Sequence, residues 1–302
     1  MKKWTLIVDV ARCNGCYNCV LADQDEHIDN DYPGYAAPQP RQGAAWIRIE
    51  RVVRGSPPMV DAAYLPKMCN HCDNAPCVAA GRGAVKKRKD GIVIFDPVLT
   101  RGRRDLVDVC PYGAVRWNEA LQIPQIWTFD AHLLDQGWRE PRCVQACPTG
   151  ALRATKVSDA QMWTEIKRGG LVPLNAEWGT RPRIYYRNLH RHHQCFVGGS
   201  VAVDVDGRSD FLKGAEVVLQ QRGRILQRVC TDAFGDFKFE RLERDSGRYR
   251  VDIKHPEHGA LGVDIELGES RYLGVMTLSR TGNPSPADSM HQPQSTLPEI
   301  AP

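Results

Sequence analysis

The chain has 302 residues, of which 42% are hydrophobic and 25% charged, with a formal net charge of +4 and 11 cysteines. With a mean hydropathy of −0.42 and a pI near 8.5, this is the composition of an ordinary soluble globular protein of about two domains. The charge is too mild and too dispersed for a nucleic-acid binder, which concentrates basic residues on one face. Without a run of about 18 apolar residues, no membrane insertion is expected. The start, MKKWTLIVDVARC, has only a short apolar run and enters a cysteine motif directly, so it does not read as a cleavable signal. Metal-type cysteine spacing then implies a reducing, cytoplasmic setting, with export alongside a partner as the alternative.

Taken in chain order, residues 5–10 (TLIVDV) predict a strand that feeds the first motif, Cys13, Cys16 and Cys19. Residues 29–43 are rich in Pro, Gly and Tyr and predict a loop; residues 46–53 (WIRIERVV) alternate like a strand. The second motif, Cys69, Cys72 and Cys77, is followed by strand candidates at 91–97 and 114–117 and by two isolated Cys-Pro pairs, Cys110-Pro111 and Cys147-Pro148. The phrases GRGAV (81–85), CPYGAV (110–115) and CPTGAL (147–152) form a weak internal repeat. Residues 158–169 predict a helix with Ser158 as cap, Gln161 at the capping-box position and Gly169 at its end. Residues 171–195 read as an extended basic strap carrying Arg181, Arg183, Arg187, Arg191 and His190, His192 and His193. From Ser200 on, short alternating runs punctuated by Gly, Asp and Ser predict an antiparallel β-sandwich of the prealbumin or immunoglobulin-like kind. The expected organisation is α+β: a duplicated bacterial-ferredoxin-like domain at 1–157, a helix and strap at 158–197, the sandwich at 198–280 and a disordered Pro/Ser/Gln-rich tail at 281–302.

The cysteines carry the chemistry. Bacterial ferredoxins use C-x2-C-x2-C-x3-C-P, in which the fourth cysteine ligates the other cluster. Here the fourth place is Asp23 in the first motif and Gly81 in the second, so each triplet lacks a local fourth thiol and each Cys-Pro lacks a local triplet. Two triplets and two distant donors supply eight thiolates, enough for two four-iron clusters. Zinc is the rival, but zinc sites pair two-ligand knuckles rather than triplets with orphans. His71, inside CNHC, reads as a loop residue packed beside a cluster, and Cys195 and Cys230 read as structural thiols. Spacing alone leaves open which orphan serves which triplet.

The phrases CNHCDNAPCVAAGRGAV, DGIVIFDP, DVCPYGAVRWNE, AHLLDQ, EWGTRPRIYYRNL and DAFGDFKF resemble the iron–sulfur subunits of the dimethyl sulfoxide reductase family. Within it they are most similar to the small subunits of pyrogallol–phloroglucinol transhydroxylase and of anaerobic resorcinol or dihydroxybenzoate hydroxylases. Such subunits usually have four motifs and four clusters. The resemblance implies that the first motif pairs with the fourth and the second with the third. One cluster would take Cys13, Cys16, Cys19 and Cys147, and the other Cys69, Cys72, Cys77 and Cys110. It also implies one vacated position, a vacancy that transhydroxylase-like subunits share while keeping three clusters, and this chain departs further at a second position. One lies around Gly81, Thr100, Arg103 and Leu106. The other would need Asp23, residues near Trp127 and Asp130, and Cys143; it is expected empty, with Asp23, Asp130 and Cys143 holding a degenerate cluster as the minor alternative.

No nucleophile–base pair and no phosphate loop is legible, so no catalytic residue is expected on this chain. The resemblance implies a large catalytic partner carrying molybdenum with a pyranopterin guanine dinucleotide, a phenolic hydroxylation or transhydroxylation there, and a soluble electron acceptor. The rivals are a respiratory reductase subunit for sulfur compounds or oxyanions, a stand-alone carrier, and a zinc scaffold.

Overall fold

A computed structural model describes residues 1–279; the expected tail at 281–302 lies outside the described residues. The described residues form two compact units: Met1–Arg54 with Val60–Cys195, and Gly55–Met59 with residues 196–279.

The first unit is organised on the strand Lys2–Asp9, which is buried without interruption from Trp4 to Val8. Such a run is expected of a strand covered on both faces. Leu6 and Val8 enter the main core with Trp46, Ile92, Leu106 and Tyr186, while Ile7 faces the other way against Met162 and Leu171. The strand pairs antiparallel with Leu152–Ser158 and parallel with Ile184–Arg187, which in turn pairs with Val172–Pro173. Met162 belongs to the helix Asp159–Gly169, whose start is the capping box read from sequence: Ser158 Oγ accepts the Gln161 N–H, and Gln161 Oε1 accepts the Ser158 N–H. It ends at Gly169, as expected, and the residue in the left-handed cap conformation is the next one, Gly170.

The basic segment is not a solvated strap. Ile184–Arg187 is an interior strand of the sheet. Arg183, only 4% exposed, donates to the Trp4 carbonyl, Thr5 Oγ1, Asp73 and Asp159. Arg191 is bound to Asp61. A parallel partner needs a long crossover, which is why a basic run far along the chain reads as loose until its sheet neighbour is known.

The internal repeat has a structural counterpart. GRGAV follows the helix Pro76–Gly81 and leads into Val85–Lys87. CPYGAV follows Asp105–Asp108 and leads into Arg116–Asn118, and CPTGAL follows Arg142–Gln145 and leads into Leu152–Ser158. The helix Asn18–His27 packs on Arg142–Gln145, and Pro76–Gly81 packs on Asp105–Asp108. Helices of four to ten residues do not persist alone in water, so these depend on what they surround.

In the second unit one sheet holds Arg208–Phe211, Cys195–Val205 and Asp236–Leu242, with Arg271–Leu278 parallel to Cys195–Val205. The other runs Arg224–Cys230, Glu216–Gln221, Gly247–His255, Gly259–Leu267 with antiparallel neighbours. Alternation places Phe237, Phe239, Val217, Leu219, Val251 and Ile253 inside.

Candidate metal centres

The first triplet begins where Lys2–Asp9 ends. Cys13 and Cys16 lie in the loop, Cys19 lies in the helix Asn18–His27, and Cys147 lies just after the helix packed against it. Gly15 takes φ +71°, and a Cβ there would sit 2.5 Å from the Tyr64 ring, so the CNGC turn needs glycine. Burial, then the charge of Cys13, pushes the Cys19 thiol up to about 12, with Cys147 and Cys16 adding to it. Cys13 is raised by burial and by Cys147 and Cys16, against a hydrogen bond from the Gly15 backbone. These four thiols therefore share one electrostatic neighbourhood. Cys16 is exposed.

The second triplet is braced by the phrase RPRIYYRNL. The Asp73 N–H donates to the Arg181 carbonyl, Asn74 N–H to Thr180, and Arg183 N–H to Asn70. Cys69, Cys72 and Cys77 are buried and Cys110 half-buried. Burial pushes Cys77 up to about 12, with Cys110 and Cys72 as the charged neighbours. Burial likewise pushes Cys72 to about 11, against a Thr180 hydrogen bond and with Cys110 adding. Cys69 is raised by burial and by Cys77, Cys110 and Cys72. His71 is buried in the same loop; its Nδ1 accepts from the Val93 N–H, and its ring lies 5.5 Å from those of Trp127 and Phe129. Burial holds it neutral, near 3.

Four thiols gathered at one site, most of them wholly or partly buried, are stable together as thiolates only beside a compensating cation. The donor sets are all sulfur, and backbone N–H groups of Gly15, Val20, His71 and Val78 point at Cys13, Cys19, Cys69 and Cys77, the hydrogen bonds that tune iron–sulfur centres. Thiolates on one zinc ion lie roughly 3.8 Å apart, given Zn–S bonds of about 2.3 Å. Among the described residues no cysteine joins a group of three ligand atoms within 4.8 Å of one another. The wider spacing suits a polynuclear group.

The two positions without a full thiol set differ. Around Gly81, space is closed: a Cβ there would lie 2.6 Å from Val85, Thr100 and Leu106 are fully buried, and Arg103 donates to the Ala80 carbonyl. The other holds Asp23 and Asp130, both 1% exposed, with ligand atoms grouped with one of His27. Cys143 is fully buried and feels the charges of Asp130 and Asp23 but stands outside that tight group. Trp127 is fully buried, filling volume as expected. His27 escaped the sequence reading; its signal was a position four residues after Asp23, on one helix face. Burial raises Asp23 well above the usual carboxylate range and Asp130 to about 7, and lowers His27 to about 4. Of the two leftover cysteines, Cys195 is buried, but Cys230 is exposed on the edge strand Arg224–Cys230 and is not a core thiol.

Residues 60–157 match the 4Fe-4S dicluster domain. The chain is 41% identical over 256 residues to the pyrogallol hydroxytransferase small subunit of Pelobacter acidigallici, covering 84% of this chain and 91% of that one. It is 32% identical over 194 residues to a tetrathionate reductase subunit of Salmonella typhimurium (62% and 73%) and 28% identical over 232 residues to the arsenate respiratory reductase iron-sulfur subunit ArrB of a Shewanella species (60% and 94%). With a 4Fe-4S domain, paired thiol clusters and this likeness over most of its length, the chain belongs to the family of the pyrogallol hydroxytransferase small subunit, the iron–sulfur electron-transfer subunits of oxidoreductases.

Proposed function

We propose that this chain is the electron-transfer subunit of a heteromeric molybdenum enzyme that hydroxylates or transhydroxylates phenolic rings anaerobically. Cys13, Cys16, Cys19 and Cys147 would hold one 4Fe-4S cluster, and Cys69, Cys72, Cys77 and Cys110 the other. The observation that carries this reading is the convergence of each triplet with one chain-distant Cys-Pro thiol, through the helix pairs Asn18–His27 with Arg142–Gln145 and Pro76–Gly81 with Asp105–Asp108. When bound, the clusters supply one-electron redox chemistry. The residues of this chain fix them: thiolates anchor the iron, the backbone N–H groups stabilise charge on sulfur, and burial of the second quartet excludes water. The exposed Cys16 gives the first quartet the shorter route to an outside donor or acceptor.

The substrate chemistry belongs to a large partner holding molybdenum and a pyranopterin guanine dinucleotide. Adding a water-derived hydroxyl to a ring releases two electrons and two protons, and two one-electron centres match that count. A hydroxyl transfer between two rings releases none, and the same centres would then act as a reservoir. The finer organisation belongs to the same reading: the second unit is a β-sandwich appended to the electron-transfer unit, the complex is cytoplasmic, and a soluble acceptor takes the electrons.

Anaerobic copurification with elemental analysis tests this. The complex should contain molybdenum and about eight irons with matching acid-labile sulfide on this chain. Cys147→Ser and Cys110→Ser should each remove about half of the iron and sulfide, through different EPR signals. A colourless, iron-free and fully folded chain would overturn the assignment.

A further inference from the structure

The pocket of Asp23, His27 and Asp130 is built differently from the closed position at Gly81. Each of its three side chains uses one polar atom for support and leaves another buried without a hydrogen-bond partner. Asp23 Oδ2 accepts from Gln39 Nε2 at 3.2 Å, and Asp130 Oδ2 accepts from the Arg142 backbone N–H at 2.8 Å. His27 Nδ1 lies 2.9 Å from the Asp23 carbonyl. A carbonyl accepts only, so Nδ1 carries the proton and Nε2 presents a bare lone pair. The remaining atoms, Asp23 Oδ1, His27 Nε2 and Asp130 Oδ1, are buried and have no hydrogen-bond partner.

Asp23 Oδ1 lies 3.5 Å from His27 Nδ1, so the polar atoms of all three residues crowd together in a dry place. His27 Nε2 lies 3.8 Å from Asp130 Oδ1, and one ligand atom from each residue falls within 4.8 Å of the others. Bonds of about 2.1 Å to a tetrahedral ion put N and O donors roughly 3.4 Å apart, so only a small closure is needed. A cubane would hold its ligand atoms much farther apart. An imidazole whose other nitrogen donates to a carbonyl is the usual support for a metal-bound histidine. Phe129 and Asp130 both hold positive φ, 61° and 48°, strain that typically persists at a functional site.

We propose that Asp23, His27 and Asp130 bind a single divalent first-row transition-metal ion of the Zn²⁺ or Fe²⁺ kind, at a position where the four-motif plan would otherwise place a cluster. Two carboxylates and a neutral imidazole match the charge and donor preference of such an ion. The fourth position is open to water or to the neighbouring Cys143 thiol. The ion ties the helix Asn18–His27 to the segment before Arg142–Gln145, and so braces the first cysteine quartet. This would hold whether or not the partner acts on phenols.

The test uses the anaerobically purified full-length protein in its complex, stripped with a chelating resin and equilibrated with radiolabelled Zn²⁺ alone. Tightly held metal, counted as zinc plus iron in excess of acid-labile sulfide, is expected at one per chain. His27→Gln and Asp130→Asn should lose it while sulfide content and the cluster absorbance stay unchanged. Equal retention by the variants, or none by the wild type, would overturn the proposal. Should the variants fail to fold, zinc-edge X-ray absorption of the wild type decides instead. It should show N/O neighbours at about 2.0–2.1 Å with at most one sulfur; an all-sulfur shell would place the zinc on the cysteines and sink the idea. The sulfide count reports the clusters separately, so loss of this ion and loss of the iron–sulfur assignment are distinguishable.

Discussion

Replacing Arg183 by methionine keeps most of the stem packing and removes the guanidinium. The two contacts that dominate are buried: Nε to the Trp4 carbonyl at 2.9 Å and Nη2 to Thr5 Oγ1 at 3.0 Å. Charge-assisted hydrogen bonds of this kind are worth at least about 1.5 kcal/mol each. The Asp159 arm adds almost nothing, because that carboxylate is 59% exposed. Asp73 loses one cation but keeps Lys87 at 3.1 Å and Lys3 at 3.4 Å. The expected loss is therefore about 3 kcal/mol, which corresponds to a Tm lower by about 6–12 °C for a unit of this size. Because cluster proteins often unfold irreversibly, the comparison is made anaerobically at one scan rate, following circular dichroism and the cluster absorbance together. The cluster absorbance should fall first, since the segment around Arg183 also holds the backbone of Asn70, Asp73 and Asn74. Arg183→Lys should fall between, having the charge without the planar fork. A Tm drop for Arg183→Met under about 2 °C would refute the view that this arginine braces the sheet and the second cysteine loop.

Two further outcomes follow from the same structure. Burial alone would raise the Asp61 carboxyl, but hydrogen bonds from Arg191 and Arg54 outweigh it and hold the group below the usual carboxylate range. Its contribution is complete above the unfolded value of about 3.9 and is lost as pH falls through the lower folded value. Asp61→Asn should thus lower Tm at neutral pH, with the difference shrinking in acid; a difference of the same size at both ends of the titration would contradict the pairing. Gly81→Cys should restore no cluster, because its side chain would meet Val85 at 2.6 Å. The expected result is unchanged iron and sulfide with a loss of about 1–3 kcal/mol from overpacking, and a new EPR signal would count against it.

Much of this was readable from local pattern. The strand Lys2–Asp9 announces itself by an apolar run, and the helix Asp159–Gly169 by Ser158 and Gln161, because backbone pairing and capping are decided by residues a few positions apart. The cysteine triplets are legible for the same reason: three corners of a site held by one tight loop must be close in sequence. The pairing of the orphan thiols is different. Spacing was silent on it and only the family resemblance suggested an answer, since which helix packs on which depends on contacts made across the chain.

By itself, then, the sequence pointed to the chemistry: two cysteine triplets and two Cys-Pro thiols in an order suited to iron. Only the tertiary structure showed which helices pack beside those thiols, that the basic phrase from Arg181 runs through an interior strand of the sheet, and that Asp23 and His27 meet Asp130. The reason is physical. Burial and electrostatic neighbourhood are properties of surfaces brought together over about a hundred residues of chain, and they decide whether an aspartate is a solvated charge or one member of a buried polar cluster.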